Sequence, residues 1–209
     1  MSLIDMTVRA FTEKLGSDAP APGGGSASAL SGALGAALVS MVCNLTVGKP
    51  KYAEHEPLIK ETLARADDLT AKLLDAVQRD TDAFDSVIAA FSMPKETDAQ
   101  KALRAEAVQK AYKNAIASPE ATADYCLTVM KLAESLLGKS NVNAVSDLAV
   151  GATLAHAGLK GAVANARINL PSVKDAPYVA EKISWAERVE KEAAALLQVV
   201  EKGVAGLVG

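Results

Sequence analysis

Between Asp18 and Lys49 the chain carries no charged side chain, and this segment opens on Pro22-Gly23-Gly24-Gly25-Ser26. A run this long and this rich in Ala, Gly and Ser folds stably only as a helix surrounded by other helices or by lipid. Ala27–Val47 has the length to span a bilayer, yet Asn44 and Thr46 lie near its end, and its start has neither an aromatic belt nor a basic cluster. The composition therefore predicts a central helix shielded by its neighbours. Three consecutive glycines give up backbone entropy on folding, so they serve either a close approach of helices or a main chain free of Cβ atoms beside a ligand. The residues alone leave both uses open.

Elsewhere the apolar residues recur at three- and four-residue spacing and alternating strand patterns are missing, which predicts an all-α fold. Leu3, Met6, Ala10, Phe11 and Leu15 form one stripe, giving a first helix over 3–15 stopped by Gly16. The second helix is expected to be capped by Ser26 and to end at Gly48, before Lys49-Pro50. A long third helix spans Glu56 to Phe91, with Asp80 interrupting its apolar face. Met93-Pro94 breaks the chain and Thr97 caps a helix running to about Ala117. Ser118-Pro119 is read as a new start, for a helix ending near Leu137 at Gly138. A loop with Lys139 and Asn141 precedes a second charge-poor helix over 143–169, on which Asp147, Gly151, Gly158, Asn165 and Asn169 fall near one face. After Pro171, Ala176-Pro177 opens an amphipathic helix to about Gly203. The sum is a single-domain bundle of six or seven helices, with the second and sixth small-residue, apolar and central.

A net charge of −3 argues against nucleic acid or an anionic membrane surface as partner. Cys43 and Cys126 lack C-x-x-C spacing, and with only His55 and His156 in the chain no zinc set assembles, so both cysteines are expected to be buried thiols. The first residues lack the basic and apolar regions of a secretory signal, which makes the cytoplasm the expected location.

The glycine loop fits neither phosphate fingerprint, having no G-x-x-x-x-G-K-[ST] and no preceding strand. What remains is a set of amides at a helix start, suited to a carboxylate or a polar ring edge. Asp80 is a sharper candidate, because a carboxylate on a core-facing stripe costs several kcal/mol unless it is paired or used. Asp147 is a second candidate, with helix capping as the competing use. Lys49 follows the apolar helix and suits neutralising an acid or holding an anion; the alternative is a solvated lysine at a helix end. His156, amid alanines and glycine, reads as a core or interface residue, and no Ser/His/Asp or Cys/His order supports nucleophilic catalysis.

Ala21-Pro22-Gly23-Gly24-Gly25-Ser26 and Met41 through Tyr52 together resemble the formiminotransferase-cyclodeaminase C-terminal family, which includes free-standing bacterial methenyltetrahydrofolate cyclohydrolases. Asp80 with Asp82-Ala83-Phe84, the Met93-Pro94-Lys95 break, Asn141, Ser146-Asp147 and Asn165 through Leu170 extend the resemblance in order along nearly the whole chain. It implies an all-helical subunit, usually a homodimer, with a folate pocket near the subunit interface and neither metal nor other cofactor. Two reactions are implied at the carbon between folate N5 and N10: hydrolysis of the methenyl bridge to 10-formyltetrahydrofolate, or closure of a formimino group with loss of ammonia. The lone chain without an attached transferase favours the cyclohydrolase, with the cyclodeaminase second and a non-catalytic helical module as the alternative of another class. By matched position the resemblance makes Asp80 an acid/base and Asp147 a second carboxylate. Lys49 would tune the acids or bind the glutamate tail, and Gly23, Gly24, Gly25, Ser26 and Asn141 would line the pocket. The expectation that follows is spatial: the two acids and the glycine loop share one hollow, within a chain or across a subunit contact.

Overall fold

A computed structural model describes residues 2–208. Among them are six α-helices and no strand: α1 (Val8–Leu15), α2 (Gly24–Asn44), α3 (Glu56–Phe91), α4 (Asp98–Ser135), α5 (Val145–Asn169) and α6 (Ala176–Val208). The all-α expectation holds, with three local differences.

The first stripe divides. Leu3–Asp5 forms a single 3-10 turn whose Leu3 amide donates to Gln78 Oε1 at 3.2 Å, and α1 starts afresh where Thr7 Oγ1 accepts from the Ala10 amide at 3.1 Å. The second helix begins at Gly24 rather than at a Ser26 cap, because the Ser26 side chain is engaged with α3. Thr97 does cap α4, in a reciprocal box with Gln100, but the helix then runs straight through Ser118-Pro119. An interior proline costs about 3 kcal/mol through its missing amide and ring clash. Ile116, Ala123 and Cys126 around it are fully buried, and the continuous burial of this face outweighs the lost rung. Two expected helices are thus one, and the apolar central pair is α2 and α5.

These two pack antiparallel and close. A Cβ on Gly35 would lie 2.6 Å from the Gly151 carbonyl oxygen, and Ser31 donates to the Leu154 carbonyl at 2.7 Å. Neither helix has room for a longer side chain along this seam, which is the physical content of the charge-free segment. In length and hydropathy α2 would suffice to cross a membrane, but 61% of its apolar window is buried against the rest of the bundle. The helix α3 flanks α2, α4 backs the α2–α5 pair, and α6 packs on α4 and α5, tied by Trp185 Nε1 donating to Asp124 at 3.1 Å and by the Lys182–Glu120 ion pair. Cys43 and Cys126 lie buried in this core; burial pushes their thiols up to about 11 and about 12, so both stay protonated.

One face of the central pair stays uncovered. Leu34, Met41 and Leu45 at and just beyond α2, with Val150 of α5, are exposed apolar side chains on the two charge-poor helices.

Candidate active site

A cavity of about 420 Å³ opens where the start of α2, the second half of α3, the middle of α4 and the end of α5 come together. Its inner end is polar: Gly23, Gly24 and Gly25 from α2 and its approach, Asp80 and Thr81 from α3, and Asn165 and Asn169 from α5. Its outer wall is apolar, made by Phe84, Val87, Ile88 and Phe91 on successive turns of α3 and by Tyr112 across from them on α4. Phe84, Ile88 and Phe91 are each about half exposed, an apolar strip that the chain itself leaves unpacked.

Asp80 is fixed from the start of α2. Its Oδ2 accepts the Ser26 amide at 3.0 Å. The Ser26 hydroxyl lies 2.9 Å from the Val77 carbonyl and 3.4 Å from Asp80 Oδ2; it has one proton, and the shorter contact is the stronger claim on it. Asp80 Oδ1 and Asn165 Nδ2 converge on the spot where a side chain on residue 25 would begin. Gly25 is therefore required by the site: any Cβ there displaces the carboxyl and the amide together. At Gly23 and Gly24 a Cβ would meet no protein atom within 4 Å, so their bare backbone borders open cavity. The glycine run thus serves both of its possible uses, at different residues.

Burial raises the Asp80 carboxyl above the ordinary range, and the hydrogen bond from the Ser26 amide offsets part of that rise. The helix start beside it favours the ionised form in the same sense as that bond. The outcome is a carboxyl suited to exchanging protons nearer neutral pH than a surface aspartate. The Asn165 side-chain amide has no hydrogen-bond partner among the described residues, and Asn169 Nδ2 donates to the Asn165 main-chain carbonyl at 2.9 Å.

The other expected site residues lie elsewhere. A 21-residue helix is about 30 Å long, and Lys49, Asn141 and Asp147 gather at the far end of α2 from the glycines. Asn141 is structural there: its amide donates to Thr46 Oγ1 at 3.0 Å, its Nδ2 to the Leu45 carbonyl at 3.2 Å, and its Oδ1 accepts from the Asn143 amide. Lys49 is exposed at the entrance to the Pro50–His55 turn, and Asp147 is half-buried in the first turn of α5. Within one chain the two acids do not share a hollow, so only a subunit contact can bring Asp147 to the cavity. Ser26, Asp80 and the three glycines do meet. Asn165, Asn169, Thr81 and the aromatic strip also line the cavity, and none of them was assigned to the site from the sequence. Two amides four residues apart on an otherwise apolar helix were the available signal.

Fold and cavity together define an all-helical protein with a cavity that is polar at one end, beside a half-buried carboxyl group, and apolar at the other. The profile of the Formiminotransferase-cyclodeaminase family matches residues 7–188, and the chain belongs to that family. It is 43% identical over 190 residues to a methenyltetrahydrofolate cyclohydrolase of Methylorubrum extorquens, covering 91% of each protein. To the formimidoyltransferase-cyclodeaminase of Sus scrofa it is 33% identical over 94% of its own length, which is 37% of that longer protein. The crystal structure of formiminotetrahydrofolate cyclodeaminase from Thermotoga maritima superposes with a TM-score of 0.87 at 26% identity, covering 98% of both chains.

Proposed function

We propose that the chain is a methenyltetrahydrofolate cyclohydrolase, opening 5,10-methenyltetrahydrofolate to 10-formyltetrahydrofolate. The carrying observation is a raised, firmly positioned carboxyl group at the polar end of a cavity in a chain whose cyclohydrolase relative matches it over 91% of both proteins. In this reading water attacks the methenyl carbon while Asp80 takes its proton. The C–N5 bond then breaks as Asp80 returns a proton to N5, and the hydroxyl proton leaves to solvent as the formyl group forms on N10. The cation lost in the reaction is stabilised beforehand by the ionised carboxylate. Asn165 offers an amide to the pterin or to the attacked carbon's oxygen, and Phe84 and Phe91 hold the aminobenzoyl ring. The reaction consumes only the folate and water, with no cofactor, and we place it in the cytoplasm, in one domain spanning the chain.

The cyclodeaminase activity named for the Thermotoga structure is the second reading, since the same carboxyl group serves attack of N10 on a formimino carbon. Loss of methenyl absorbance and release of ammonia from 5-formiminotetrahydrofolate separate the two. Rapid turnover is expected in the first assay; turnover confined to the second assigns the protein to the other reaction.

The working unit in this proposal is a homodimer built on the uncovered α2–α5 face. A two-fold contact with antiparallel α2 helices lays the end carrying Lys49, Asn141 and Asp147 of one copy toward the glycine loop of the other, which gives these residues a route to the folate. Leu34→Glu places a charge mid-face at a side chain 51% exposed in the monomer. The expected result is a species of one chain mass by light scattering with greatly reduced turnover. An L34E protein that stays dimeric removes this face from the interface.

A further inference from the structure

Resting on the folate reading, we infer that Arg104 is the anchor for the carboxylates of the substrate's glutamyl tail, a task that the family resemblance offers to Lys49. Arg104 does not itself line the cavity; its guanidinium lies against Phe91, the lining side chain farthest along α3 from Asp80, 5.3 Å from the centroid of that ring. Its Nε and one Nη donate to the Phe91 main-chain carbonyl at 3.2 and 3.0 Å, which satisfies the end of α3 and fixes the plane of the group. An arginine has five N–H donors, so three remain unused. Among the described residues no carboxylate pairs with it, although Lys101, one turn earlier, is paired to Asp98. Phe91 makes an edge contact to Tyr112, ring centroids 6.1 Å apart, so the cation lies beside an aromatic pair.

Reach and sign both fit. From Asp80 to Phe91 α3 advances about 16 Å, comparable with a pteridine, an aminobenzoyl ring and a glutamyl group laid end to end. Along that path the wall passes from carboxyl group and amide through aromatic side chains to Phe91, beside which stands a guanidinium with no acidic partner among the described residues. The proposed substrate passes from cationic amidine through an aromatic ring to carboxylate. A fixed guanidinium fork is the preferred partner for a carboxylate, and Lys49 lies at the wrong end of α2 within the chain.

The test compares two substrates on one enzyme: 5,10-methenyltetrahydrofolate with one glutamate, and the corresponding methenyltetrahydropteroate, which lacks it. Arg104→Gln is expected to raise KM for the first about 10- to 100-fold with kcat nearly kept, and to leave kcat/KM for the second at the wild-type value. Arg104→Lys, keeping the charge without the fork, recovers part of the loss. Equal damage on both substrates identifies a purely structural cap on α3 and overturns the inference, as does an R104Q enzyme unchanged on both. If the wild-type enzyme turns over neither compound, the folate reading falls and takes the anchor with it; failure of the anchor alone leaves wild-type turnover intact.

Discussion

Asp80→Asn is expected to lower turnover by about 10²- to 10⁴-fold, the usual worth of a positioned acid/base group, while the variant folds and still binds the folate. Asparagine keeps the shape of the side chain and can still accept the Ser26 amide through its carbonyl oxygen, so the scaffold of the site survives. Stability should move in the opposite direction from activity. Burial raises the folded-state pKa of Asp80 above its unfolded value, so the folded protein binds this proton more tightly than the unfolded chain. The stability that this contributes is complete below the unfolded value, about 3.9, and is lost as pH rises through the raised folded value. Above that window the wild type carries a half-buried carboxylate at a cost that the neutral amide of the variant avoids. Melting curves should show D80N gaining on the wild type as pH climbs out of the acidic range and holding that advantage at neutrality. The rate profile supplies the independent check: the wild-type acid limb should titrate above the ordinary aspartate range and be absent from the residual activity of D80N. Unchanged turnover in D80N would remove Asp80 from the mechanism.

Which features could be read in advance follows from what each depends on. The helices were legible because their apolar residues recur at helical spacing and their ends carry local signals, as Thr97 with Gln100 shows. The Pro119 boundary was misplaced because the cost of an interior proline is local and visible, whereas the burial of Ile116, Ala123 and Cys126 that outweighs it is tertiary. Asp80 and the glycine loop were legible singly, since a carboxylate in an apolar stripe and a triple glycine both violate local preference. Their meeting followed only from the family resemblance and not from periodicity, because it rests on an antiparallel register in which Ser26 faces both Val77 and Asp80. The same limit explains Asp147: it breaks an apolar pattern as Asp80 does, but sits at the other end of α5 from Asn165. Periodicity gives the face a residue occupies and says nothing of which end of a neighbouring helix it meets.

Gly25→Ala is the second large effect expected, and its contrast with Gly24→Ala tests the site at atomic scale. In an ordinary helix start either change is mild or favourable, since alanine exceeds glycine in helix propensity by about 1 kcal/mol. At residue 25 the added methyl occupies the place of the Asp80 carboxyl group and the Asn165 amide, so both must swing away from the cavity. Asp80 is tied to the amide of the very next residue, Ser26, and cannot move without loosening that bond. Displacing a reacting group by about 1 Å costs on the order of 10²-fold in rate, and overpacking costs about 1–3 kcal/mol in stability. G25A should therefore lose kcat by about 10²-fold or more and melt lower than the wild type. At residue 24 the added methyl meets no protein atom within 4 Å and projects toward open cavity, so G24A should melt at or above the wild-type temperature. Its defect should fall on KM, because the methyl obstructs the ligand and leaves the carboxyl group where it was. Wild-type kcat in G25A would mean that the position of Asp80 beside α2 is immaterial to the chemistry. A kcat loss in G24A equal to that in G25A would mean that the loop acts as one unit, and that the division between a glycine needed by the protein and a glycine needed by the ligand is wrong.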